Sequence, residues 1–169
     1  MARQLLNAFT HVVSLLIGGF TITDILTKER RSELMSRVRS KETKPERIVR
    51  RFLFSQGFRY RLHDKRYPGT PDLVLPKYKT FVLIHGCFWH GHENCRAAGL
   101  PESNREFWES KLTRNKERDL AVLGELEQSG WQVITVWECE IKSVRKRVIR
   151  LERLIGEIQG TLDTEKLSI

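Results

Sequence analysis

The sequence predicts a layered α/β domain in which helices cover a mixed sheet. Two strongly apolar runs, Thr80-Phe-Val-Leu-Ile84 and Trp131-Gln-Val-Ile-Thr-Val-Trp137, read as central strands. Helical segments with clear start signals stand before, between and after them, which is the pattern of helices laid on a sheet. All three cysteines, Cys87, Cys95 and Cys139, fall shortly after those strands. With 169 residues, 40% of them hydrophobic, the chain is long enough to build a core without disulfide staples.

Along the chain, Gln4 to Thr23 carries no formal charge and holds the apolar run Val12 to Phe20 behind Arg3, loosely the shape of a signal h-region. No A-x-A-like cleavage site follows, and Asn7, Thr10, His11 and Ser14 interrupt the ~20 apolar residues a bilayer span requires. Residues 1–23 therefore read as an appendage, disordered or packed as an extra helix, ahead of a domain over 24–160 and a tail over 161–169. Thr27 caps a helix to about Arg39, with Leu34, Met35 and Val38 on one side. Thr43-Lys-Pro-Glu46 is a capping box with proline in the first turn, opening a helix through Phe54 that stops at Gly57. Phe58, Tyr60 and Leu62 alternate with Arg59 and Arg61, which predicts a half-buried strand. His63 to Gly69 is a loop, and Pro71-Asp-Leu-Val-Leu75 a short strand. Ser103-Asn-Arg-Glu106 is a second capping box, for a helix ending at Ser129 with Gly130 as its stop and Phe107, Leu112, Leu123 and Leu126 inward. The strand at Trp131 leads to Cys139, and a last helix from Ser143 to Gln159 turns Val144, Val148, Leu151 and Ile155 inward.

The nine residues from Cys87 to Cys95 look like a metal knuckle. A structural Zn²⁺ takes four soft or borderline ligands in a tetrahedron, and Cys87-x4-His92-x2-Cys95 with the distant Cys139 supplies Cys₃His. The fourth ligand can arrive if the strand before Cys139 lies beside Thr80–Ile84. His90 and His92 compete for the ligand role, and spacing does not decide between them. Phe88-Trp89, between them and Cys87, suits either a core or a wedge between base pairs.

The formal charge of +9 is concentrated. Lys28 to Arg66 holds 14 Lys/Arg against 5 Asp/Glu, and the other 130 residues cancel. Such a segment marks a polyanion partner, nucleic acid first and anionic membrane second. Near it, Asp72 starts a strand after a Pro-Gly-Thr turn and His85 ends the next. A carboxylate with carbonyl oxygens and waters is what Mg²⁺ accepts, and a histidine at position 85 or 90 can move a proton near neutral pH.

Taken together, His85-Gly-Cys-Phe-Trp-His90-Gly-His92, preceded by Pro68-Gly-Thr-Pro-Asp72 and followed by Glu106-Phe-Trp-Glu109, Asn115-Lys-Glu-Arg-Asp119 and Val136-Trp-Glu-Cys139, closely resembles the very short patch repair endonucleases. The resemblance covers Asp24 to about Lys142. It implies a restriction-endonuclease-like mixed sheet flanked by helices, with a structural zinc loop. It also implies Mg²⁺-dependent nicking of double-stranded DNA on the 5′ side of the thymine in a T·G mismatch, the product of 5-methylcytosine deamination. Carried onto this chain, it makes Asp72 the Mg²⁺-binding carboxylate, with the main-chain carbonyl of Ile84 as a further ligand. His85 and His90 become the catalytic histidines, and Glu46 a supporting acid. Zinc falls to Cys87, His92, Cys95 and Cys139, intercalation to Met35, Phe88 and Trp89, and places near the DNA to Asn115 and Asp119. The family's setting is the bacterial cytoplasm, nucleoid-associated when bound. It implies a monomer on double-stranded DNA, with mismatch-repair proteins as candidate partners and no membrane. Two alternatives stay open: a restriction or defence nuclease indifferent to mismatches, and a zinc-containing DNA-binding module without catalysis.

Overall fold

Thr43 opens the first helix as its sequence requires. In the computed structural model, which describes Glu33 and residues 41–102 and 104–166, with side chains to 160, α1 spans Lys44–Ser55. The Thr43 hydroxyl accepts from the Glu46 N–H, and the Glu46 carboxylate accepts from the Thr43 N–H in return. Gly57, with φ of +85°, ends the turn beyond the helix. The appendage over residues 1–23, the helix expected from Thr27 to Arg39 with Met35 on it, apart from the helical Glu33, and the tail's side chains lie outside the described residues.

Four strands form one sheet in the order β1 (Arg61–Leu62), β2 (Leu73–Leu75), β3 (Thr80–His85), β4 (Gln132–Trp137). The first three run antiparallel to their neighbours, while β3 and β4 are parallel, paired from Thr80↔Gln132 to His85↔Trp137. The sheet is therefore mixed, as expected. The strand predicted from Phe58 shrinks to two residues. Phe58 is buried against the main core and Tyr60 packs on it, while Leu62 faces solvent at the sheet's edge.

Period-two alternation divides the core into two faces. Leu73, Leu75, Val82, Ile84, Ile134 and Val136 pack with α1 and with α4 (Val144–Lys166). Val74, Phe81 and Leu83 face the other way, toward Leu126 of α2 (Arg105–Gln128). Fully burying each such side chain contributes about 1.5–3 kcal/mol, so both faces are anchored. Between β4 and α4 lies a one-turn helix, α3 (Glu138–Ile141), so Cys139 sits on this turn rather than at the end of a strand. Buried Arg150 ties α4 to it: its guanidinium donates to Glu140, Glu157 and the Thr135 carbonyl at 3.0–3.1 Å.

Three sequence expectations are corrected. The cap of α2 is Asn104, in left-handed backbone and without a side-chain capping bond, while Ser103 lies outside the described residues. Phe107 is 54% exposed and Trp108 is buried, since the helix turns its tryptophan inward. Val144 and Val148 are 71% and 50% exposed, and α4 instead buries Leu151, Leu154 and Ile158, the stripe that meets β4 and α1.

The turn before β2 is fixed by contact with α2. Gly69 has φ of +65°, and a Cβ there would lie 2.3 Å from the Val122 Cγ1. A β-branched side chain on a helix has little room to yield. Gly57, also at positive φ, faces open space. Gly57→Ala should therefore cost only the backbone strain, about 1 kcal/mol, and Gly69→Ala at least about 2 kcal/mol, read as the difference in urea midpoints.

Candidate functional site

The parallel register of β3 and β4 brings His85 level with Trp137, and the loop leaving β3 then folds over the end of β4. Tight turns hold that loop: the His90 N–H donates to the Gly86 carbonyl, Gly91 to Phe88, and His92 to Cys87. Gly91 takes φ of +57° where the loop meets α2; a Cβ there would collide with the Lys116 side chain.

This folding separates the two histidines that spacing left in competition. His92 stacks on the Trp137 ring at 4.0 Å, and its Nδ1 lies 3.4 Å from the Cys139 Sγ. The donor atoms of Cys87, His92, Cys95 and Cys139 all lie within 4.8 Å of one another. Ligands around a tetrahedral ion with bonds of about 2.0–2.3 Å stand roughly 3.3–3.8 Å apart, so the cluster suits a Cys₃His centre. Its electrostatics agree. Burial pushes the Cys87 thiol up to about 12 and raises Cys139, while the Ala97 and Ala98 N–H groups help to lower Cys95. Three crowded thiols ionise together only beside a cation.

His90 turns instead to α2. Its Nδ1 meets the Asp119 carboxylate at 2.5 Å, and its ring stacks on His85 with centroids 3.8 Å apart and planes nearly parallel. Asp119 also accepts from Arg118, and Asn115, one turn earlier, donates to the Trp89 carbonyl at 3.0 Å. Both residues expected near the DNA thus hold the loop in place. Burial, and then the neighbouring His90, press His85 down to about 4, so it is neutral at physiological pH. The pair lines a cavity of about 470 Å³ with Lys116, Asp119, Leu120 and Trp137.

The carboxylates form a second cluster. The Asp72 Oδ2 accepts from the Ile84 N–H at 2.7 Å, which ties it to the residue before His85. Glu46, His63 and Asp72 place their donor atoms within 4.8 Å of one another. Glu46 is therefore both a helix cap and a member of this cluster. His63, read from sequence as a loop residue, was missed. The signal was the hairpin register: Arg61↔Val74 and Leu62↔Leu73 put His63 opposite Asp72.

Phe88 and Trp89 are half-buried, and both pack edge-on against Trp108. Phe107 extends this aromatic patch, and the Lys111 ammonium lies 5.4–5.7 Å above the Trp89, Trp108 and Phe107 rings. The third expected wedge, Met35, lies outside the described residues.

Comparison with known proteins gives the family. Residues 23–96 match the family described as DNA mismatch endonuclease Vsr. A type II nicking enzyme of Neisseria meningitidis serogroup A is 56% identical over 141 residues, 83% of this chain and all of that protein. One from Xanthomonas oryzae is 45% identical over 79% of this chain and 98% of its own length. The DNA mismatch endonuclease Vsr of Escherichia coli is 35% identical over 74% of this chain and 80% of its own. The chain belongs to the Vsr endonuclease family. It is a DNA endonuclease of the nicking type, and DNA is its partner. Among the described residues of this Vsr-family enzyme, no helix is long and apolar enough to cross a membrane.

Burial raises the Asp72 carboxyl from its ordinary 3.8 to about 6, despite the Ile84 N–H bond that pulls it down. A raised carboxyl favours the neutral folded form, so this residue's contribution to stability is complete below about pH 4 and is lost as the pH rises through about 6. In Mg²⁺-free buffer at pH 8, Asp72→Asn should stabilise the fold by about 2 kcal/mol. The gain should vanish at pH 4, as thermal melts at the two pH values would record.

Proposed function

We propose that this endonuclease nicks double-stranded DNA on the 5′ side of the thymine in a T·G mismatch, using Mg²⁺ at Asp72 and a structural Zn²⁺ on Cys87, His92, Cys95 and Cys139. The observation that carries the reading is the joining of the two clusters through one strand end. The Ile84 N–H holds Asp72, the adjacent His85 stacks on His90, and His90 is fixed by Asp119.

Asp72, with the Ile84 carbonyl as further ligand, is the Mg²⁺ position, and carboxylate and carbonyl oxygens suit a hard divalent cation. Bound there, Mg²⁺ supplies Lewis-acid polarisation of the scissile phosphate. The protein supplies the rest. With its Nδ1 committed to Asp119, His90 exposes Nε2 as the atom that moves a proton at the reacting oxygens. His85, neutral and stacked, holds that ring at its angle and is a second proton acceptor. Glu46 supports the carboxylate end of the site.

Recognition falls to the aromatic patch. A T·G wobble pair stacks poorly, so prying its base step apart costs less than in matched DNA, and insertion by Phe88 and Trp89 becomes selective for the mismatch. Trp108 and the zinc loop behind them keep these side chains from collapsing inward. Lys and Arg from residues 28–66 supply phosphate contacts that read no sequence.

With Mg²⁺, the wild type should nick a T·G duplex and leave C·G and T·A duplexes of the same sequence intact, and Asp72→Ala should abolish the nick. His90→Ala should lower the rate by on the order of 10²-fold with little change in duplex affinity. Equal cutting of all three duplexes would keep the nuclease and discard mismatch specificity, and binding without any nick would point to a DNA-binding module. Zinc analysis should find one ion per chain, and Cys139→Ser should lose it along with several kcal/mol of stability in denaturant melts.

A further inference from the structure

His63 stands where the chemistry of the carboxylate cluster is unfinished. Its backbone N–H donates to the Asp72 carbonyl at 3.3 Å, which fixes the ring between two acids. The ring Nε2 lies 3.4 Å from the Glu46 Oε2, and Nδ1 lies 3.9 Å from the Asp72 Oδ1. Nε2 is buried and has no hydrogen-bond partner. Leaving such an atom unsatisfied is costly. The acids around it are oriented by other bonds. Asp72 has committed Oδ2 to the Ile84 N–H, which leaves Oδ1 on the side of His63. Glu46, only 5% exposed, has committed Oε1 to Thr43 and one lone pair of Oε2 to the Glu42 N–H. One donor atom from each of the three residues lies within 4.8 Å of the other two. Donors around an octahedral cation with bonds near 2.1 Å stand about 3–4.2 Å apart, so a small closure of the triad would suffice.

We propose that Glu46, His63 and Asp72 hold one divalent cation together, with the His63 imidazole as a direct ligand, and that this nitrogen makes the site bind Mn²⁺ more tightly than Mg²⁺. Mg²⁺ takes oxygen donors and keeps its waters, whereas Mn²⁺, equally at home with carboxylates, is a transition ion that accepts an imidazole nitrogen beside them more readily. The inference rests on the reading of Asp72 as the cation's carboxylate and extends it to a donor set and a metal preference.

The test uses the full chain with its zinc retained. Mn²⁺ titration followed by electron paramagnetic resonance gives affinity, and pulsed measurement of the bound ion detects a directly coordinated ¹⁴N. The wild type should show nitrogen modulation. His63→Gln, and His63→Asn as a second variant in case the first misfolds, should lose it, bind Mn²⁺ at least about tenfold more weakly, and narrow the Mn²⁺ over Mg²⁺ preference. Wild-type Mn²⁺ without nitrogen modulation, or modulation that survives in a folded His63 variant, would overturn the proposal. If Asp72→Asn still abolished Mn²⁺ binding in that case, the Asp72 reading would stand alone. Mn²⁺ affinity unchanged in Asp72→Asn, or no Mn²⁺ bound by the wild type, would remove both.

Discussion

The site depends on the parallel pairing of β3 with β4. Two adjacent parallel strands end at the same edge of the sheet, and the segments that leave them must share the space beyond that edge. Here the last pair is His85↔Trp137. The loop after one strand and the turn after the other therefore meet, and Cys139, distant in sequence, comes together with Cys87, His92 and Cys95 of the loop. A slip of one residue would turn His85 to the opposite face and separate Cys139 from the loop. The six-residue ladder and the apolar side chains on both of its faces hold the register in which the chemistry is assembled.

From that edge the loop is held from two sides. Trp137 supports His92 from the sheet, while Asn115 and Asp119 hold Trp89 and His90 from α2. The two histidines end in different surroundings although one residue separates them in sequence. His92 sits among thiols, and His90 sits between a carboxylate and another imidazole. That division lets a single short loop contribute to the thiol cluster and to the stacked histidine pair, with Phe88-Trp89 between them in sequence.

Much of this was legible in the sequence. The central strands and the Thr43 capping box came from apolar runs and capping chemistry, which are local rules, while spacing marked Cys87 and Cys95 but left His90 and His92 in competition until the fold placed them. The errors came from tertiary choices. Alternation through Phe58, Tyr60 and Leu62 promised a longer strand, but the chain pairs for only two residues before it turns. On α2 and α4 the helical period allowed several stripes; the loop aromatics Phe88 and Trp89 selected Trp108 over Phe107, and the main core selected Leu154 over Val148. His63 was invisible for a similar reason. Its meaning lies in being opposite Asp72 across a hairpin, and hairpin register is not written in either segment alone.

The carboxylate cluster shows a fold giving up stability to keep two acids close together. Glu46 is stabilising as the N3 acid of α1, where it satisfies the Thr43 and Glu42 N–H groups, and its burial there brings a second negative charge toward Asp72. Burial and that neighbour both push the Asp72 proton affinity up, and only the Ile84 N–H and nearby histidine charge oppose them. A purely structural solution would put an amide or an apolar side chain at position 72. Helix capping fixes Glu46 and the hairpin fixes His63, so the fold itself sets the geometry around Asp72 and keeps two acids close together at a cost in stability.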